Sequence, residues 1–225
     1  MSELLKIAHI ESPFRSKFGI PRQAGIADKV KARIVFEPEF RSPDAVRGLE
    51  DFSHIWLIWQ FSEALGRSWT PTVRPPRLGG NTRMGVFATR SPFRPNSIGL
   101  SAVKLEAVEL DPVLGPVLTV SGADLLDGTP IFDIKPYIPY ADSHPEASGG
   151  FTDRTEFRTL RVEFSPELRL PSDIIDELES ALSQDPRPQY HDDPERVYGM
   201  DFGGYNVRFQ VRGDVLTVLS VSGAE

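Results

Sequence analysis

The chain has 225 residues, 40% apolar and 10% aromatic, enough for one large domain or a main domain with a smaller one around a packed core. Its zero cysteines exclude disulfides, thiolate nucleophiles and zinc–thiolate sites, and the four histidines, His9, His54, His144 and His191, are scattered without ligand spacing, so no metal site is expected. The formal net charge of −7 hides an asymmetry: residues 1–105 hold 16 Lys and Arg against 9 Asp and Glu, whereas residues 106–225 hold 9 against 23.

The opening MSELLKIAHIESP has neither a basic n-region nor an apolar h-region, and no run approaches the ~18 apolar residues of a membrane span, so a soluble cytoplasmic protein is expected. Leu5–Ile10, Val30–Phe36 and Ile55–Phe61 are short segments rich in Ile, Val and aromatics, bounded by Pro or Gly, and read as strands of an antiparallel sheet. Pro43–Glu50 reads as one short helix with proline in its first turn. Further strands are expected at Met84–Thr89, Leu100–Leu110, Pro116–Ser121 and Ile131–Lys135. Many short strands broken by Gly and Pro indicate a barrel or a sandwich, not a doubly wound sheet.

After Tyr140 the sequence ADSHPEASGGFTDR is polar and aperiodic, which places a linker at 143–157 between a unit at 1–142 and one at 158–225. In the latter, Arg158–Phe164 reads as a strand. PSDIIDELESALSQ reads as a helix, capped by Ser172 or Asp173, with Ile174, Ile175, Leu178, Ala181 and Leu182 as its apolar stripe. Asn206–Val211 and Val215–Val221, joined by Arg212-Gly213-Asp214, read as a hairpin. The expected class is mainly β, with a small α+β unit at the C-terminal end.

Several chemistries lack their motifs. There is no Gly-x-Gly-x-x-Gly after a strand, no phosphate-loop Lys-Ser/Thr and no Gly-x-Ser-x-Gly elbow. Asp51, Ser53 and His54 supply the residue types of a triad, but neighbours on one strand point to opposite faces and do not converge. Between Ala64 and Leu105 no acid occurs, while Arg67, Arg74, Arg77, Arg83, Arg90, Arg94 and Lys104 supply seven cations. Such a stretch points to an anionic partner. A solvated basic face balanced by the acidic half of the same chain accounts for it equally well.

Four dense clusters remain. GIPRQAG (Gly19–Gly25) sets Pro-Arg-Gln on a turn between glycines. DFSHIWLIWQF (Asp51–Phe61) is an aromatic run whose Trp56, Leu57, Ile58 and Trp59 read as barrel core, with His54 at its polar start. LGGNTRMGVFATRSPFRPNSIGLS (Leu78–Ser101) joins glycines without Cβ, prolines of fixed φ, and Arg83, Arg90 and Arg94 as bidentate donors, as a backbone loop approaching an anionic ligand requires. DLLDGTPIFDIKPY (Asp124–Tyr137) ends a strand in an Asp127-Gly128 turn, which a hairpin needs for geometry alone.

Together, PRQAG, DFSHIWLIWQF, RPPRLGGNTRMGVFATRSPFRPNSIGLS and DLLDGTPIFDIKPYIPYAD resemble the TsaA-like family, with further agreement at DPRPQY (Asp185–Tyr190) and NVRF (Asn206–Phe209). The resemblance implies a small β-barrel enzyme that uses S-adenosyl-L-methionine, acts as a homodimer, and methylates the exocyclic N(6) amine of threonylcarbamoyladenosine at tRNA position 37, beside the anticodon. Carried over by position, it implies cofactor contacts at Pro21, Arg22, Gln23, Phe61, Ser62, Arg90, Leu100, Asp124, Leu125, Leu126 and Asp127.

A cofactor with an adenine, a carboxylate and a sulfonium needs an apolar slot, a cationic clamp and an anionic group, roles open to Arg22 or Arg90 and to Asp124 or Asp127. An adenine amine is a poor nucleophile, and His54, Asn96 and Asp127 are the candidate acceptors near it. Arg67, Arg74, Arg77 and Arg94 are expected to hold phosphates of the unpaired anticodon loop. Two other readings compete: a non-catalytic RNA- or nucleotide-binding barrel, and a hydrolase using His54 with Asp51 or Asp133.

Overall fold

The structure, a computed structural model, describes residues 4–155, 158–187 and 193–223; His191, the Pro188–Tyr190 part of the DPRPQY motif and the last two residues of the expected linker lie outside them. Along the first half run β1 (Ala8–Glu11), β2 (Lys31–Phe36), β3 (His54–Gln60), β4 (Thr72–Val73), β5 (Met84–Gly85), β6 (Ile98–Asp111), β7 (Gly115–Ser121) and β8 (Pro130–Pro136). Six of these close a barrel in the order β1-β2-β7-β6-β3-β8, every pair antiparallel, and closure leaves no exposed edge. The remaining two, β4 and β5, pair as a short ribbon.

Period-two alternation decides which side chains fill the barrel. Ile10, Ile34, Ile55, Leu57, Leu118 and Ile131 are fully buried in its core. On β3 only Ile55, Leu57 and Trp59 point inward. Trp56 and Ile58, expected in the core, lie half-buried on the other face. There the Trp56 indole N–H donates to Asp142 (3.1 Å), on the single-turn helix α1 (Pro139–Asp142).

Two sequence expectations are corrected by short turns. Pro43–Glu50 forms two separate 3-10 turns, Pro43–Val46 and Leu49–Asp51, because Gly48 at φ 83° breaks the helical path between them. Met84–Thr89 leaves the strand after Gly85 and turns through Val86–Ala88, burying Val86 alone.

A second core contains β9 (Arg161–Phe164), α2 (Ser172–Leu182), β10 (Val197–Phe202), β11 (Tyr205–Arg212) and β12 (Val215–Gly223), with sheet order β10-β11-β12-β9 and β12 parallel to β9. The hairpin β11–β12 turns at Gly213-Asp214 as expected, whereas β10 was not anticipated. The helix starts at Ser172 itself after Pro171, without a side-chain cap bond, so neither Ser172 nor Asp173 caps it. Leu178, Ala181 and Leu182 are buried and Ile174 and Ile175 half-buried, as the stripe requires.

Phe14, Ala27 and Val30, from the connection between β1 and β2, are buried in this second core, with Phe18 and Ile20 packed against it. Residues 1–142, expected as one barrel unit, are thus shared between two cores. Phe14 meets Phe202 edge-on at 5.5 Å, and Gly203 N–H donates to the Pro13 carbonyl (2.9 Å).

Gly99 stands opposite Trp59 in the β3–β6 ladder, and a Cβ there would lie 2.3 Å from the indole ring. Gly99→Ala is therefore expected to destabilise the chain by about 1–3 kcal/mol through overpacking. A thermal melt checks this, and an unshifted midpoint would mean that the ring yields at no cost.

Candidate functional site

A cavity of about 490 Å³ opens at the end of the barrel where β3 finishes and β6 begins, within the range of small-ligand pockets. Five segments wall it: the β1–β2 connection (Ile20–Gln23), the end of β3 with its following turn, the loop at 89–94, the start of β6, and the β7–β8 connection. The antiparallel closure brings these ends together.

Trp59 forms part of the floor, and Phe61 packs against it with ring centroids 4.3 Å apart. The Trp59 indole N–H donates to Ser101 Oγ (3.0 Å), and Ser101 Oγ lies 2.6 Å from Asp124 Oδ1. An indole can only donate, so the serine oxygen accepts and its own proton is directed at the carboxylate. Burial pushes the Asp124 carboxyl above the usual carboxylate range, opposed by the Ser101 hydrogen bond and by the Arg90 charge.

Across the cavity Arg90 donates to Gln23 Oε1, tying the 89–94 loop to the β1–β2 connection. Burial lowers the pKa of Arg22 from its ordinary value; Asp185 opposes that fall and Arg77 adds to it. The result is a cationic wall facing a recessed carboxylate, with Trp59, Phe61, Ile98, Leu100 and Leu126 as the apolar surface between them.

Of the residues assigned to the cofactor from sequence, Pro21, Arg22, Gln23, Phe61, Ser62, Arg90, Leu100, Asp124 and Leu126 line this one cavity. Two do not. The Leu125 side chain is fully buried in the barrel core, and Asp127 is exposed, accepting from Ser12 N–H (2.9 Å) while its own N–H bonds the Phe14 carbonyl (2.8 Å). Consecutive residues on an extended stretch cannot all face one side.

The three acceptor candidates lie away from this cavity. Neither Asp127 nor Asn96, which is exposed, lines the cavity, and His54 lies at the opposite end of β3. His54 Nδ1 pairs with Ser53 Oγ at 2.9 Å, so these two neighbours do meet, because Ser53 precedes the strand. The His54 ring lies beside Tyr137, whereas Asp133 binds Lys135 and its neighbour's Ile134 N–H. No hydrolytic pairing of His54 with Asp51 or Asp133 forms among the described residues.

Among the arginines assigned to phosphate, Arg74 and Arg77 line a second, adjoining groove, and Arg94 borders the first cavity while donating to the Thr89 carbonyl (2.7 Å). Arg67 is exposed and lines neither. Sequence reasoning missed Ser101 and the pocket role of Trp59. The signal was present: Gly99, Ser101, Val103 and Leu105 share the inward face of β6, and a serine in that row is a polar group that needs a buried partner.

The tRNA-methyltransferase O N-terminal domain family matches residues 9–143, and the TrmO C-terminal domain family matches residues 158–224. The chain belongs to the TrmO family. A relative from Escherichia coli (strain K12), the tRNA (adenine(37)-N6)-methyltransferase, is 41% identical over 218 residues, 92% of each chain. A putative S-adenosylmethionine-dependent methyltransferase, RcsF, of Pseudomonas aeruginosa is 41% identical over 230 residues, 97% of each. The crystal structure of TrmO from Pseudomonas aeruginosa superposes with a TM-score of 0.81 at 36% identity, covering 99% of both chains. Membership in the TrmO family agrees with the mainly β class and the closed barrel expected from the sequence.

Among the described residues no group of three or more His, Asp or Glu is arranged to hold a metal ion, and no helix is long and apolar enough to cross a membrane.

Proposed function

We propose that this chain is a tRNA (adenine(37)-N6)-methyltransferase that takes its methyl group from S-adenosyl-L-methionine and acts on the N(6) amine of threonylcarbamoyladenosine. The observation that carries this reading is one cavity holding arginines, an aromatic and aliphatic surface and a recessed carboxylate, in a chain of the TrmO family.

The residues fit the donor. Its amino-acid carboxylate calls for a cation, which Arg22 and Arg90 supply; its adenine calls for an apolar slot, which Phe61, Leu100 and Leu126 supply; its sulfonium calls for negative charge, which Asp124 supplies. When bound, the donor contributes an activated methyl group and a thioether leaving group, so the chain needs no nucleophile of its own. The work left to the protein is alignment and electrostatics. Ser101 and Trp59 hold Asp124 in one orientation, and a cationic ligand beside it would favour the ionised carboxylate against the burial that raises its pKa. Gln23 fixes the Arg90 guanidinium before any ligand arrives. The homodimer implied by the family is part of the same proposal, and sedimentation of the purified chain tests it.

The deciding experiment incubates the protein with labelled methyl donor and tRNA that either bears or lacks the threonylcarbamoyl group. Label should enter only the modified tRNA, and a protein that binds this tRNA without transferring label would instead be a binding module. A second expectation concerns affinity. Arg90→Ala should weaken binding of S-adenosylhomocysteine by about 1–3 kcal/mol, as loss of a charge-assisted hydrogen bond does. Isothermal calorimetry measures it, and unchanged affinity would remove Arg90 from the site.

A further inference from the structure

The donor cavity adjoins a wider groove of about 1680 Å³, and Arg22, Gln23, Thr89, Arg90 and Pro92 border both. Among the described residues this groove is lined by six arginines, Arg22, Arg74, Arg77, Arg83, Arg90 and Arg154, and by no carboxylate. Charge of one sign lining a cleft selects a polyanion over a protein of mixed charge.

Phe87 stands in this groove with 72% of its surface exposed, although its neighbour Val86 is 1% exposed. A phenyl ring left in water forgoes the burial that rings of its size normally gain. Its support is hydrogen-bonded on both sides. Val86 N–H donates to the Pro71 carbonyl (3.0 Å), Thr89 Oγ1 donates to the Val86 carbonyl (2.9 Å), and the β4–β5 ribbon pairs immediately before it. Arg94, held by the Thr89 carbonyl, sets its guanidinium 5.7 Å from the Phe87 ring centroid. An exposed aromatic ring with a cation over one face and its other face open, on a basic groove, is an arrangement on which an unpaired base stacks.

We propose that Phe87, braced by Arg94, is a stacking platform for an unpaired base neighbouring the target nucleoside, with the arginine rim holding the phosphates on either side. The proposal rests on the methyltransferase reading and adds to it the surface that presents the RNA. The contiguity of groove and cavity gives the order: the target base enters the donor cavity while its neighbour remains outside, on the ring. Duplex RNA offers no free base face and gains nothing from Phe87.

The test measures binding of tRNA bearing threonylcarbamoyladenosine, and of a blunt RNA duplex, to the full chain and to its Phe87→Ala and Phe87→Tyr variants. S-adenosylhomocysteine calorimetry and sedimentation run in parallel. Phe87→Ala should weaken the tRNA about ten-fold, while Phe87→Tyr stays within about two-fold of the parent, as expected for stacking on one base. The duplex should bind all three alike, and S-adenosylhomocysteine affinity should be unaltered. Equal tRNA affinity for Phe87→Ala and the parent overturns the platform. So does a change in sedimentation on Phe87→Ala with tRNA binding intact, which would mean that a second copy of this chain covers the ring. A parent protein that shows the Phe87 dependence but transfers no methyl group fails the methyltransferase reading and leaves the platform standing.

Discussion

Asp124→Asn is expected to weaken methyl-donor binding by about ten- to a hundred-fold, the range for removing a charged hydrogen-bonding partner, while the variant stays folded. Asparagine keeps an oxygen where Ser101 Oγ needs its acceptor, so the chain of bonds from the Trp59 indole survives while the charge is lost. Burial is the main reason that the Asp124 carboxyl holds its proton more tightly folded than unfolded. A folded pKa above the unfolded one means that this group's contribution to stability is greatest below the ordinary carboxylate range and declines as pH rises through the folded pKa. An amide in its place does not titrate and carries no such decline. The melting temperature of the variant relative to the parent should therefore increase from acidic to neutral pH while donor affinity falls. Melts across that range and calorimetry with S-adenosylmethionine read the two effects separately, and a variant that bound the donor as well as the parent would take Asp124 out of the cationic end of the site.

Deleting residues 158–225 should abolish donor binding, though none of the described residues among them lines the donor cavity. The reason is the β1–β2 connection. Phe14, Ala27 and Val30 are buried against the C-terminal sheet and helix, Phe18 stacks on Tyr198 and Phe209 at 6.4 and 6.3 Å, and Pro21–Gln23 hang between that core and the barrel. Exposing such side chains costs about 1.5–3 kcal/mol for each large one, more than a loop can absorb while holding its shape. Gly19→Ala is the milder form of the same experiment. At φ 98° any Cβ is strained by about 1–2 kcal/mol, and this one would lie 2.1 Å from the Met200 sulfur. The thioether can swing aside, so folding should persist while donor affinity drops. If the deleted chain or Gly19→Ala bound S-adenosylhomocysteine normally, the C-terminal unit would have no part in shaping the cavity.

Much of the barrel was legible because its strands announce themselves. Lys31–Phe36, His54–Gln60 and Gly115–Ser121 are short runs with the β-branched and aromatic content that a pleated, packed surface demands, although the continuous apolar run of the second did not tell which of its side chains point inward. The helix Ser172–Leu182 was equally plain from its period. Val197–Phe202 is less legible because the outward positions of its alternation hold Gly199 and Asp201, residues of low strand propensity, beside the buried Tyr198, Met200 and Phe202. At the site, nine positions inferred from the resemblance line one cavity, and the exceptions have local causes: Leu125 turns into the core because Asp124 turns out of it, and Asp127 is drawn to Ser12.

What the amino-acid order determined alone was local: where strands, turns and the helix can form, that no cysteine chemistry is available, and that cations without acids collect between residues 64 and 105. Barrel closure decided the rest. It brought positions 21–23, 59, 61, 62, 90, 98–100 and 124 to one end, placed His54 at the other, and assigned Phe14, Ala27 and Val30 to a core built mainly from the distant half of the chain. Such facts depend on register and on side-chain volume meeting across long sequence separations, as when Gly99 makes room for Trp59 and Trp59 in turn directs the Ser101 proton toward Asp124. Local propensity acts over a few neighbours and carries no record of those encounters.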